Sequence, residues 1–144
     1  MTDLAHPIPA VLCVCLRGPE VLLVRRANPP DAGLWGFPGG KIDAGETMAL
    51  AAQRELAEET GLTALSAGPV LGASDVLDRD AEGALRHHYV LLAVLCTLPA
   101  DAPPPQAADD ALEAAWVPLA EIDHRPCSAG VAELANLART SHGG

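Results

Sequence analysis

Two apolar, β-branched runs open the chain, Ala10 to Leu16 and Val21 to Arg25, parted by Arg17-Gly-Pro-Glu. Strand-forming residues on either side of a Gly-Pro pair predict a β-hairpin with a short turn. Asn28-Pro-Pro-Asp-Ala-Gly reads as a loop, and Leu34-Trp-Gly-Phe-Pro-Gly-Gly as a short extended piece ending in a turn. From Thr47 to Thr60 there is neither Gly nor Pro, Ala and Glu dominate, and Gly61 follows. A helix of about fourteen residues with a left-handed glycine cap is expected there. Gly68 to Leu77 and His87 to Leu98 read as longer strands joined through the polar Asp78-Arg-Asp-Ala-Glu-Gly, and the unbroken apolar stretch Tyr89 to Cys96 predicts burial on both faces. Pro99 to Gln106 is too proline-rich for a packed element and predicts an exposed loop of partly polyproline character. Trp116-Val117 reads as a short strand. Val131, Leu134, Leu137 and Ala138 then recur at helical spacing, which predicts a last helix from Ser128 to Thr140 with Ser128 as its N-cap.

No internal repeat is present, and 144 residues suit one domain covering 1–144. Apolar residues make up 49% of the chain but aromatics only 3%, so the core must be built from Leu, Val and Ala around Trp35, Phe37, Tyr89 and Trp116. A net charge of −10 argues against a bulk grip on nucleic acid polymers or anionic membranes, which needs clustered Lys and Arg. A small anionic substrate would therefore need metal ions as intermediaries. The first residues carry neither a basic region nor an unbroken apolar stretch, and no later segment offers 18 apolar residues in a row. A cytoplasmic location is the expectation. Cys13, Cys15, Cys96 and Cys127 form no CxxC pair. Cys13 and Cys15 share one strand face, as buried reduced thiols would.

The chemistry concentrates on the central helix. At about 100° per residue, Glu55, Glu58 and Glu59 fall within an arc of about 100°, with Ala49, Leu50, Leu56 and Ala57 on the other side. Carboxylates so placed repel one another. Arg54 and Lys41 are the only positive side chains between Gly40 and Leu62, too few for Asp43, Glu46, Glu55, Glu58 and Glu59 together. Hard oxygen ligands favour Mg²⁺, with Mn²⁺ able to substitute. Such ions would offset the charge of a diphosphate and lower the pKa of an attacking water. On its own, the helix reads equally well as a solvated acidic face.

The flanking pattern decides between these readings. Gly40, five residues, Glu46, seven residues, then Arg54-Glu-Leu-Ala-Glu-Glu-Thr-Gly-Leu62 matches the Nudix box at every fixed position. A chance match is on the order of one in a billion per window at average residue frequencies. The chain thus resembles the Nudix hydrolases. The resemblance implies an α/β/α sandwich with a mixed β-sheet between helices, in which the box forms a loop, helix, loop unit facing a diphosphate. It implies metal ligation by Glu55, Glu58, Glu59 and the carbonyl of Gly39, and a salt bridge between Glu46 and Arg54. It places a general base in the loop before Trp116, where Asp109, Asp110 and Glu113 are candidates and Asp110 matches best; Glu55 or Glu59 could serve instead.

Arg25 and Arg26 end the second strand, and one of them is expected to hold a phosphate, since strand neighbours point to opposite faces. Arg86-His-His-Tyr89 opens the long strand, either as surface or against a base or ribose. The implied activity is Mg²⁺-dependent cleavage of the diphosphate bond of a small nucleotide derivative, with ADP-ribose or a nucleotide sugar favoured over a nucleoside triphosphate. No proline near Leu77 and Asp78, no tyrosine at Arg79 or Asp80 and no Ser-Gln-Pro-Trp run marks a subgroup. A non-hydrolytic nucleotide sensor is the alternative of another class, disfavoured by the intact glutamates. An isomerase branch is disfavoured by the absence of cysteine near the box. Homodimers are common in the family, but no residue pattern marks an interface.

Overall fold

The opening apolar run does not stay in one sheet. In the computed structural model, which describes residues 6–29 and 31–141, strand β1 spans Ile8–Val14 and ends at Cys15. Strand β2, Leu16–Arg17, then turns into β3, Glu20–Arg26, in a second sheet. The expected hairpin is therefore short, pairing only Leu16 with Val21 and Arg17 with Glu20. Both strands are core on both faces: Val11, Cys13 and Leu22 belong to one buried cluster and Val14, Val21 and Leu23 to the other.

The remaining elements are β4 (Trp35–Gly36), β5 (Gly39–Lys41), helix α1 (Met48–Thr60), β6 (Ser66–Arg79), β7 (Leu85–Thr97), β8 (Ala111–Pro118), a 3₁₀ turn (Leu119–His124) that the sequence reading did not anticipate, and helix α2 (Val131–Ser141). One sheet has the order β5-β1-β7-β6 and is mixed, because β1 runs parallel to β7 while the other neighbours are antiparallel. In the other sheet β3 pairs with β2, β4 and β8, all antiparallel. Val11, Cys13, Cys15, Leu22, Val94 and Cys96 pack against Ala51, Ala52 and Leu56 of α1. On the opposite side Val14, Leu23, Trp35, Phe37, Leu95 and Val117 pack against Val131, Ala135 and Ala138 of α2. The result is the α/β/α arrangement with a mixed sheet between helices. Among the described residues no helix is long and apolar enough to cross a membrane.

Helix α1 begins and ends where its caps require. The Thr47 hydroxyl accepts the Leu50 N–H at 3.1 Å, and Gly61, at φ 75°, donates its N–H to Ala57 O at 2.9 Å. Each cap is worth about 1 kcal/mol. The buried stripe is not the one expected opposite the glutamates, since Leu50 is 54% exposed and Ala57 is exposed. The helix instead turns Ala51, Ala52, Glu55, Leu56, Glu59 and Thr60 inward. Two carboxylates thus lie on the core-facing stripe.

Three other expectations are corrected. Helix α2 starts at Val131, not at Ser128, because the Ser128 N–H donates to Trp35 O at 2.8 Å and Gly130 takes φ 85°, which interrupts the helical path. The strand predicted at Trp116-Val117 is longer, because it pairs with β3 from Glu20 to Arg26. Of the stretch Tyr89 to Cys96, only Ala93 to Cys96 is fully buried. The helices cover that half of β7, and Tyr89 and Leu91 face a cavity. Cys13, Cys15, Cys96 and Cys127 are free, and the first three are buried beneath α1.

Candidate active site

Arg54 organises the acidic face. Its Nε and Nη2 hold both oxygens of Glu46 at 2.7 and 2.9 Å, a bidentate fork that a lysine could not make. Nη1 reaches Glu55 at 2.9 Å and Glu58 at 3.2 Å, while Nη2 also donates to Lys41 O at 2.9 Å. Glu46 in turn accepts the Asp43 N–H at 3.0 Å. The Arg54 fork, aided by that N–H, pulls the Glu46 carboxyl down to about 2. The loop Lys41 to Glu46 is thereby tied to the first half of the helix.

Glu55 and Glu59 are buried, with 9% and 5% exposure, whereas the Glu58 side chain is 46% exposed. Burial pushes Glu59 up to about 8, against the opposing donation of the Gly39 N–H to its Oε1 at 3.3 Å. Burial raises Glu55 as well, with Arg54 pulling the other way. Close backbone approach explains the glycine pair of β5. A Cβ at Gly40 would run into the Glu55 carboxylate, and one at Gly39 into the Val11 carbonyl.

Glu55 and Glu59, but not Glu58, line a cavity of about 620 Å³. Arg26 lines it, and its charge acts on Glu59. Arg25 does not line it, and pairs with Glu113 at 2.8 Å instead. Asp109 and Asp110 both reach the cavity, the first in a left-handed turn at φ 58°. That loop is anchored at two places. The Gln106 and Ala108 N–H groups donate to the last-turn carbonyls of Thr60 and Glu59 at 2.9 and 3.1 Å, and the Ala27 N–H donates to Asp110 O at 2.8 Å. The proline-rich segment therefore ends by capping the helix that carries the glutamates. Phe37, Val76, Tyr89, Leu91, Val131 and Leu134 form an apolar wall of the same cavity.

Hard oxygen donors, two of them buried with raised carboxyl values, are the chemistry that a divalent cation satisfies. Among the described residues no three Asp, Glu, His or Cys side chains converge as a ready-made cage. The guanidinium of Arg54 pairs with both Glu55 and Glu58 and supplies positive charge there.

The model of the NUDIX domain matches residues 6–135. The chain belongs to the NUDIX family. A Mycobacterium tuberculosis protein named "Putative 8-oxo-dGTP diphosphatase 2" is 38% identical over 134 residues, covering 89% of this chain and 86% of that protein. The ADP-ribose pyrophosphatase of Methanocaldococcus jannaschii is 34% identical over 114 residues, 79% of this chain, and the match spans 63% of that relative's length. Among solved structures, the NUDIX domain of Shewanella oneidensis NrtR, crystallised with ADP ribose, superposes with a TM-score of 0.76 at 27% identity, covering 95% of this chain and 89% of that one. The family and these relatives make this Nudix chain a hydrolase of pyrophosphate bonds. Nudix hydrolases generally use divalent metals.

Sequence reasoning missed Asn28, Asp31, Ser128 and most of the apolar wall of this Nudix site. They come from four segments far apart in the chain, and no local spacing marks them. One signal was available: Tyr89, Leu91 and Val76 alternate on two strands, and Val76 pairs directly with Tyr89. His87 stacks on Tyr89 with centroids 5.6 Å apart, and its Nδ1 contacts the acceptor Oδ2 of Asp78 at 3.0 Å, at the strand start flagged from sequence.

Proposed function

We propose that this chain is a Mg²⁺-dependent pyrophosphohydrolase that cleaves the diphosphate bond of a nucleoside diphosphate derivative of the ADP-ribose or nucleotide-sugar type. The observation that carries it is the joining of a buried, charge-hungry carboxylate pair, Glu55 and Glu59, to a cavity large enough for a nucleoside and a second organic group. Glu55, Glu58, Glu59 and the Gly39 carbonyl are the groups to hold Mg²⁺, with Mn²⁺ as substitute. Bound there, the cation supplies charge neutralisation of the diphosphate and acidification of water.

The chain's own residues do the rest. Arg26 faces the anionic substrate from the end of β3. Asp110 accepts the proton of the attacking water, since it lines the same cavity from the anchored loop. The apolar wall excludes water and packs the base or sugar. Catalysis is then mostly positioning and charge compensation.

A nucleoside triphosphate is the second reading. The mycobacterial relative favours it, because that match covers 86% of the relative's length. The two are separated by incubating the protein and Mg²⁺ with ADP-ribose, nucleotide sugars, dinucleotides and triphosphates including 8-oxo-dGTP, with and without chelator. Release of AMP and ribose 5-phosphate from ADP-ribose supports the first. Release of pyrophosphate from a triphosphate alone replaces it by the second. Nucleotide binding without metal-dependent turnover on any compound would overturn both in favour of a sensor.

A further inference from the structure

Asn28 stands just past β3, after the bulge between Arg25 and Arg26 in its pairing with β8. Its Nδ2 donates to Asp110 Oδ1 at 2.7 Å, in the loop that carries Asp109 and Asp110. Both Asn28 and Asp110 line the cavity. The backbone beneath them is already fixed by Ala27 N–H to Asp110 O at 2.8 Å and by Ala111 N–H to Ala108 O at 3.0 Å. What the backbone leaves undetermined is the rotation of the Asp110 carboxylate about its side-chain bonds. An exposed carboxylate samples several rotamers, and a base contributes only in the one that faces the water.

We propose that Asn28 is a positioning residue for Asp110. Its amide N–H holds Oδ1 and leaves Oδ2 to receive the proton of the attacking water. An amide suits this task because it donates without carrying charge and does not exchange protons with the site. The role rests on reading Asp110 as the base, and the experiment separates the two.

Asn28→Ala, Asn28→Asp, Asp110→Asn and the double variant Asn28→Ala/Asp110→Asn are assayed with Mg²⁺ and ADP-ribose, or 8-oxo-dGTP where the substrate panel selects it. Binding of the non-hydrolysable α,β-methylene analogue is measured alongside. Asp110→Asn should lower kcat by about 100-fold or more. Asn28→Ala should lower kcat about 10-fold, with KM and analogue binding within about twofold. Asn28→Asp keeps the side-chain shape but sets an acceptor against an acceptor, so it should be at least as slow as Asn28→Ala. The double variant should be no slower than Asp110→Asn alone, because there is then no base to position.

If Asp110→Asn is slow and either Asn28 variant keeps wild-type kcat, the positioning role is wrong while the base stands. If Asn28→Ala weakens analogue binding and spares kcat, Asn28 touches substrate instead. Multiplying effects in the double variant would likewise overturn the link. Wild-type kcat in Asp110→Asn removes the base, and the role of Asn28 with it.

Discussion

The two sides of the cavity are built by opposite physics. On one side a single short stretch, Lys41 to Thr60, packs charge densely. Arg54 alone engages Asp43, Glu46, Glu55 and Glu58, and two further constraints come from Gly39 and Gly40 lacking side chains. On the other side Phe37, Val76, Tyr89, Leu91, Val131 and Leu134 arrive from four separate segments and meet through dispersion and burial. The charged side is held by directional contacts: both oxygens of Glu46 and one oxygen each of Glu55, Glu58 and Glu59 have a stated partner. The apolar side needs volume and shape, and it can change with its neighbours. Such a division lets one hydrolytic apparatus serve different substrates.

The sharpest way to break this comparison is Glu59→Gln, with Glu58→Gln beside it. Each should lower kcat by about 1000-fold on the proposed reading, in which both carboxylates hold the cation and one is lost at nearly constant volume. Circular dichroism and the thermal midpoint should show the fold intact. Wild-type-like turnover in both variants would remove these carboxylates from the metal site. Arg54→Lys comes next, with an expected loss of about 10- to 100-fold. A point charge cannot hold both Glu46 oxygens and also reach Glu55 and Glu58. Full activity in Arg54→Lys would mean that charge rather than the fork is what matters.

The charged side also predicts a pH dependence of stability in chelated, metal-free protein. Glu59 is raised from 4.5 to about 8 by burial, so between those values the folded state binds more proton than the unfolded chain. Stability should therefore fall as pH rises through this window, by at most about 1.4 kcal/mol per pH unit for one proton. Glu55, also raised, adds in the same direction. Glu46 acts oppositely but elsewhere: lowered to about 2, its stabilisation is present above 4.5 and disappears as pH falls through 2. Urea melts at pH 5 and pH 8 should show the slope, and Glu59→Gln should flatten it. Equal midpoints for the parent protein would show that Glu59 is solvated in the folded state.

This difference between the two sides also governs how much of each was legible in the sequence. The helix and its Gly61 cap follow from residues a few positions apart, so spacing exposed them, whereas the Glu46–Arg54 pair came from the family resemblance and the Thr47 cap was not anticipated. The inward turn of Glu55 and Glu59 did not follow. A stripe holding Ala51, Ala52 and Leu56 reads as weakly apolar, and only the sheet beneath shows that it is the buried one. The early strand break at Cys15 and the late start of α2 depend on partners distant in the chain, Val94 for Cys13 and Trp35 for Ser128. The apolar wall was invisible for the same reason. Tyr89 is recognisable as a strand residue, but its place in the same cavity as Glu55 and Glu59 is a property of the whole sheet.

On the apolar side, Tyr89→Ala should raise KM by about 3- to 10-fold with kcat nearly unchanged, which is what the loss of one aromatic contact amounts to. The smallest effect is expected just outside both sides, at Arg25. Arg25 and Arg26 are neighbours on β3, yet Arg25 is spent on Glu113 while Arg26 lines the cavity. An exposed ion pair contributes about 0 to 1 kcal/mol, so Arg25→Ala should leave KM and kcat within about twofold and the thermal midpoint close to that of the parent. Arg26→Ala should raise KM for the same substrate by about 10-fold or more, as expected for a charge-assisted contact to phosphate. If the two arginines prove equivalent, the alternation of strand faces does not select the phosphate ligand. If Arg25→Ala proves the more damaging, its pair with Glu113 holds the start of β8, and with it Asp110, more firmly than an exposed ion pair ordinarily can.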